Sequence, residues 1–203
     1  MILERIPGLM KSIDKLAKIS DAKSIARRLF VTNSFDCLMT ALGVILGGYI
    51  GGIDSPKAFI GTVLGGSLTM GVFSGFLGAF FSERAERKRE LKRMEFQVQR
   101  DLSKSIYGRA SRVIPVYVAV WSAAGIFMFP LITITPFILA NMGIVSIAGS
   151  VISSIAIINV LIFALGCYLG KISGENVLKN GAIMLAISLA ATLMLLVISA
   201  ITR

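Results

Sequence analysis

Residues 113–170 read VIPVYVAVWSAAGIFMFPLITITPFILANMGIVSIAGSVISSIAIINVLIFALGCYLG, 58 positions without one Asp, Glu, Lys or Arg. A helix needs about 20 apolar residues to cross the hydrocarbon core of a bilayer. The run is too long for one crossing and long enough for two with a turn between them. Outward from it lie three more uncharged stretches: 58–82, 180–202 and 37–53, the last bounded by Asp36 and Asp54. Together they predict five spans, at 33–53, 58–82, 113–138, 144–170 and 180–202. Backbone groups in hydrocarbon must pair within their own segment, so each span is expected to be a helix. The short alternating segments of a membrane β-barrel are not visible.

Composition points the same way. Of 203 residues, 55% are hydrophobic and 16% charged, against about a quarter charged in soluble domains. Mean hydropathy is +0.81. The expected fold is therefore an all-α integral membrane protein. Residues 1–32 form a basic cytoplasmic segment, and 33–203 form a five-helix transmembrane domain with a charged cytoplasmic helical segment at 83–112. The first long apolar run begins about thirty residues in, so no cleavable signal peptide is expected.

The net charge of +10 would suit a nucleic-acid binder, but the cations are segregated. Seven precede the first span (Arg5, Lys11, Lys15, Lys18, Lys23, Arg27, Arg28). Ten lie between spans two and three, from Arg84 to Arg112, and Lys171 and Lys179 separate spans four and five. With five spans, all three groups fall on one side; only Lys57 and Arg203 fall on the other. An excess of Lys and Arg marks cytoplasmic loops, so the N-terminus is expected inside and the C-terminus outside. The basic face is then a topology and anionic-lipid signal, and no nucleic-acid partner is expected. Ile2, Ile6, Leu9, Ile13 and Leu16 recur at helical spacing with Lys11, Lys15 and Lys18 elsewhere on the wheel. That pattern reads as an amphipathic helix in the headgroup plane, anchoring the first span.

Several chemistries are excluded. There is no histidine, which removes His-ligated metals, Ser-His-Asp triads and imidazole relays. Cys37 and Cys167 lie in separate apolar stretches, so no disulfide framework is implied. Spans three to five hold no ionisable group beyond Tyr117, Tyr168 and Cys167. An enzyme would need an acid, base or nucleophile pair there, so none is expected.

Eleven of the twenty glycines fall within residues 43–78. Gly43/Gly47/Gly51, Gly48/Gly52, Gly61/Gly65 and Gly71/Gly75 are spaced by four, which lets helix backbones approach closely. Spans one and two are expected to pack tightly, against each other or across a subunit boundary. Pro130 and Pro136 should kink or end span three, with Pro136 at its outer end and Thr133 and Thr135 satisfying freed carbonyls.

Asp36 is the ionisable residue of the first span, at or just inside its cytoplasmic end; it is either a functional carboxylate or a helix N-cap or interfacial one, a cap that Ser34 could supply equally well. Met39 and Thr40 follow Asp36 by three and four residues, on one helical face, which continues to Gly43 and Gly47. A carboxylate suits hard divalent ions and a thioether softer ones, so the set fits a borderline ion held in passing. Past span two, Glu83, Glu86 and Glu90 form a stripe on a strongly helical stretch. It is either a cation-loading cluster or a salt-bridged solvated helix, with Arg and Lys competing for the carboxylates.

The order of these features resembles the vacuolar iron transporter family of Fe²⁺/Mn²⁺ carriers. The run Asp36-Cys37-Leu38-Met39-Thr40-Ala41-Leu42-Gly43 is similar to the family's opening motif, with Cys37 at the usual glycine. Gly66-Ser67-Leu68-Thr69-Met70 resembles its Ser-Met run. Ser82-Glu83-Arg84, the segment from Pro130 to Pro136, and Gly181-Ala182-Ile183-Met184 resemble later landmarks. The metal-binding insert is shortened and basic, and only Glu83, Glu86 and Glu90 resemble its carboxylates. The resemblance implies a homodimer with a cation path between protomers, Asp36 and Met70 as membrane ligands, and proton-coupled export of Fe²⁺ or Mn²⁺ from the cytoplasm. It implies no permanently bound cofactor; the metal is the cargo. The expected location is the cell membrane, an organelle membrane being the other choice. The competing function is a non-transporting assembly or lipid-organising protein.

Overall fold

The computed structural model describes residues 21–201, without the side chains of 199 and 200. The amphipathic segment read at residues 2–16 lies outside the described residues. Helices are the regular structure of the described chain, which contains no strand. We number them α1 (Ala22–Ile50), α2 (Pro56–Met70), α3 (Ala79–Val98), α4 (Ile106–Thr133), α5 (Thr135–Asn141), α6 (Ile147–Ser173) and α7 (Val177–Ile201), with Gly71–Gly78 wound as a π-helix between α2 and α3.

Five helical stretches are long and apolar enough to cross a membrane: Ala22–Ile50, Pro56–Val98, Ile106–Asn141, Ile147–Ser173 and Val177–Ile198. At 1.5 Å per residue even the shortest reaches about 33 Å. Most boundaries follow the apolar runs. The first helix begins eleven residues before the expected span because Ala22–Arg28 are good helix formers. The second runs on through Glu83 to Val98, as its composition suggests. It ends at Gln99, whose left-handed φ of 49° closes the helix with an N–H bond to the Glu95 carbonyl. The third stretch breaks earlier than Pro136. α4 stops at Thr133, and Pro136 sits in the first turn of the separate helix α5, where its missing N–H costs nothing.

Contacts divide the chain into two units, one holding residues 21–30 and Val72–Ala124, the other Val31–Gly71 and 125–201. In the first, Ala22 and Ala26 of α1 meet Ile114 and Val118 of α4 in a buried cluster flanked by Ile25, Leu29, Ala110 and Tyr117. Alanines on α1 permit the close approach. The π-helical carbonyl of Gly75 accepts a hydrogen bond from the Ser122 hydroxyl at 3.3 Å. At the polar end the Ser103 N–H donates to the Asp101 carboxylate at 2.7 Å, holding that carboxyl below its usual range.

The second unit contains the tightest helix pair. α6 and α7 run antiparallel through a short turn at Gly174, whose φ is +73°. Gly166 and Gly170 of α6 lie against Asn180, Gly181 and Val177 of α7. Phe59 of α2 stacks on Phe137 of α5 with ring centroids 4.6 Å apart, and both are fully buried. Hydroxyls join α6 to the broken third stretch: Ser154 donates to the Thr133 carbonyl at 2.8 Å and Ser150 to the Pro136 carbonyl at 2.9 Å. Thr133 and Thr135 bond the carbonyls of Pro130 and Leu131, not those four residues before each proline; the one at Ile126 accepts from Cys37.

Candidate metal site on the first two helices

The site grows out of one face of α1. Ser34, Cys37 and Thr40 recur every three residues, so they stack one above the other. Ser67 and Met70 do the same on α2. The Thr40 hydroxyl lies 2.8 Å from the Asp36 carbonyl and 3.0 Å from the Met70 sulfur. The hydroxyl is within donating distance of both, so its one proton serves either the carbonyl or the thioether, and its oxygen stays beside the sulfur. One turn away along their helices lie Cys37 and Ser67, both 1% exposed.

A third helix closes this corner. Pro130 has no N–H, so the carbonyl of Ile126 loses its partner within α4. The Cys37 thiol points at that oxygen from 3.8 Å. The approach is tight because of glycine. A methyl at Gly125 would fall on the Ser34 hydroxyl, and one at Gly71 on the Ile126 side chain. The hydroxyls of Ser34 and Ser67 are buried without a hydrogen-bond partner, a costly state in a low-dielectric interior.

Of the residues singled out from sequence, Thr40 and Met70 are therefore brought together. Asp36 and Met39 are half-buried neighbours on the same helix. Gly43 and Gly47 face open space, as do Gly61 and Gly65 of α2; a methyl added to any of them would meet nothing within 4 Å. Close packing of α1 on α2 instead uses Gly48, where an added methyl would stand 3.0 Å from the Phe59 ring, and Gly66, where it would stand 3.7 Å from Val44.

The carboxylate stripe belongs to the other unit and is occupied by arginine. Glu83, 8% exposed, accepts from Arg87 Nε at 2.6 Å, and Glu90 from the same guanidinium at 2.8 Å. Glu86 lies 3.9 Å from Arg89 on the exposed side. Among the described residues no three of His, Cys, Asp and Glu come together as a metal cluster. Arg87→Ala should leave Glu83 buried and uncompensated, lowering stability by about 2 kcal/mol. Denaturant unfolding in detergent measures it, and Arg89→Ala should change almost nothing.

Cys37, Ser34, Ser67 and the Ile126 carbonyl escaped the sequence reading. Their signals were present: a spacing of three on α1 and α2, and the offset of four between Ile126 and Pro130.

The fold and these polar pockets define an all-helical protein with five helices of membrane-spanning length. It is 31% identical over 195 residues to the uncharacterized protein MJ0645 of Methanocaldococcus jannaschii, across 94% of this chain and 95% of that protein. The chain belongs to the same family as that archaeal protein. No protein-family model matches the chain, and no solved structure does.

Proposed function

We propose that the chain is a divalent-metal carrier that crosses the membrane five times, N-terminus inside and C-terminus outside, and exports Fe²⁺ or Mn²⁺ from the cytoplasm in exchange for protons. The observation that carries this reading is the meeting of the Thr40 oxygen and the Met70 sulfur at 3.0 Å on the helix that bears Asp36. The resemblance to vacuolar iron transporters supports the same assignment. In operation an ion displaces the proton of Asp36, passes to the thioether and hydroxyl, and leaves outward on a change of helix packing. The distribution of Lys and Arg supports the orientation. The open glycine faces of Gly43/Gly47 and Gly61/Gly65 favour a homodimer, because four-residue glycine spacing permits backbone contact that the protomer itself does not use.

The test is uptake of Fe²⁺, kept anaerobic, and of Mn²⁺ into proteoliposomes against a pH gradient. The wild-type chain should accumulate at least one ion, and Asp36→Ala should fall to the protein-free background. Full uptake by the Asp36→Ala variant overturns the site.

A second reading, a lipid-organising protein that moves nothing, draws on two observations. Arg87 already holds Glu83 and Glu90. Beside it a cavity of about 520 Å³ is lined by Arg87, Arg93, Tyr107 and Ser111 together with Asp21, Glu90, Leu91 and Ile114, a mixed lining that can take a charged headgroup with an acyl chain. Thermal unfolding with Mn²⁺ and with anionic lipid separates the readings: stabilisation by lipid alone favours the second.

A further inference from the structure

We propose that Asn159 and Ser188 hold one buried water molecule midway along the α6–α7 pair, and that this water closes the half of the hairpin that the glycines do not reach. The site does not depend on the carrier reading.

Register brings the two residues together. Near the turn, Gly170 lies against Val177 and Gly166 against Gly181. The helices are antiparallel, so seven residues further on, two turns along each, the same seam sets Asn159 opposite Ser188. The helices still touch there: Ser188 is 0% exposed, and α6 is the helix on which α7 packs. Both residues stand about 16 Å or more from either end of their helices. In the five-crossing reading that is the middle of the bilayer, where unpaired polar groups are most costly.

The protein leaves one polar atom of each residue without a partner. Asn159 Nδ2 donates to the Ile155 carbonyl at 2.8 Å. That bond fixes which way the amide points, because a carbonyl cannot face the amide's own oxygen. Asn159 Oδ1 and Ser188 Oγ are each buried with no hydrogen-bond partner, so they do not bond one another. Nor does Ser188 do what Thr192 does one turn later. The Thr192 hydroxyl bonds the carbonyl four residues back, that of Ser188, at 2.9 Å; the Ser188 hydroxyl leaves the Met184 carbonyl alone. A second copy of the chain cannot supply the partner, because both atoms are covered within the protomer.

The two atoms specify the occupant. An amide oxygen only accepts, and a hydroxyl must also place its proton. The occupant therefore donates to Asn159 and accepts from Ser188, as water does. A cation would meet two neutral oxygens and no counter-charge, since residues 147–170 and 180–201 contain no Asp, Glu, Lys or Arg. Buried waters typically bridge two to four otherwise unpaired polar groups in this way.

Solid-state NMR of the full-length chain in lipid bilayers reads the water directly. Polarisation passed from water protons should reach Asn159 Cγ, the signal being identified by its loss in Asn159→Leu. Ser188→Ala should cut the transfer several-fold. Unfolding in detergent reads the bridge. Asn159→Leu and Ser188→Ala should each raise the unfolding constant about tenfold, the scale of one buried polar group left unpaired. The double variant should lose no more than the worse single one, because removing both partners leaves nothing unsatisfied. Additive losses, or transfer to Asn159 unchanged in Ser188→Ala, overturn the bridge. Absence of transfer to Asn159 in the wild-type chain overturns the water, and coupled losses without it assign a direct Asn159–Ser188 hydrogen bond instead.

Discussion

Gly166→Ala is expected to destabilise the protein by about 3 kcal/mol, the upper end of the usual cost of overpacking. The added methyl would stand 2.7 Å from the Asn180 carbonyl oxygen and 2.8 Å from the Gly181 Cα. Both are backbone atoms of α7 and cannot swing aside as a side chain can. The only relief is for α6 and α7 to separate, which loosens the neighbouring approach of Gly170 to Val177. Between lipid-facing helices there is little hydrophobic gain to offset lost contact, because lipid tails are as apolar as the side chains. Reversible unfolding by a denaturing detergent measures the loss. Gly66→Ala is the internal control: its methyl would meet only Val44 at 3.7 Å, an ordinary contact, so it should be neutral or stabilise its helix by up to about 1 kcal/mol. Equal effects at the two positions would contradict the packing described for α6 and α7.

If the chain forms the homodimer proposed above, Gly47→Leu should leave the protomer folded and weaken the association of two copies. Nothing within the protomer lies within 4 Å of a methyl at Gly47 or Gly43, so a bulky side chain there disturbs no contact of the folded chain. If the two copies meet along this face, the leucine forces their backbones apart. The dimer dissociation constant should then rise tenfold or more, about 1.4 kcal/mol for each factor of ten. Dilution in liposomes, followed by energy transfer between labelled protomers, reports the change. Normal unfolding with unaltered association would place the subunit contact elsewhere. Loss of folding would mean that the face is already in use.

The architecture was legible from charge alone. Uncharged runs of membrane length have one solution in hydrocarbon, and all five reappear as helices. Details that depend on one backbone group were not. The expected third span reached residue 138, whereas α4 ends at Thr133 because Ser154 and Ser150 of a distant helix supply hydrogen bonds that let the chain turn. The glycine spacing announced close packing but could not say with what; Gly48 and Gly66 pack within the protomer, and Gly43, Gly47, Gly61 and Gly65 do not. At the site, Thr40 and Met70 could be named separately, but their meeting depends on how α1 and α2 cross. Cys37 was read only as a cysteine in an apolar stretch that stands at the family's usual glycine. Its contact with the Ile126 carbonyl depends on Pro130, 93 positions further along the chain, through an oxygen that no side-chain pattern displays.

The hydroxyl bonds also bear on biosynthesis. Thr40, Thr62 and Thr192 each donate to a carbonyl four residues earlier in their own helix. These segments can therefore enter the bilayer one at a time, with those protons already accommodated. Ser154 has a different commitment, since the oxygen it serves at Thr133 belongs to an earlier segment, while Ser150 divides between the Ser146 carbonyl of its own helix and the Pro136 oxygen. Under the five-crossing reading proposed above, the broken third crossing gains these bonds only once Ile147–Ser173 has joined it.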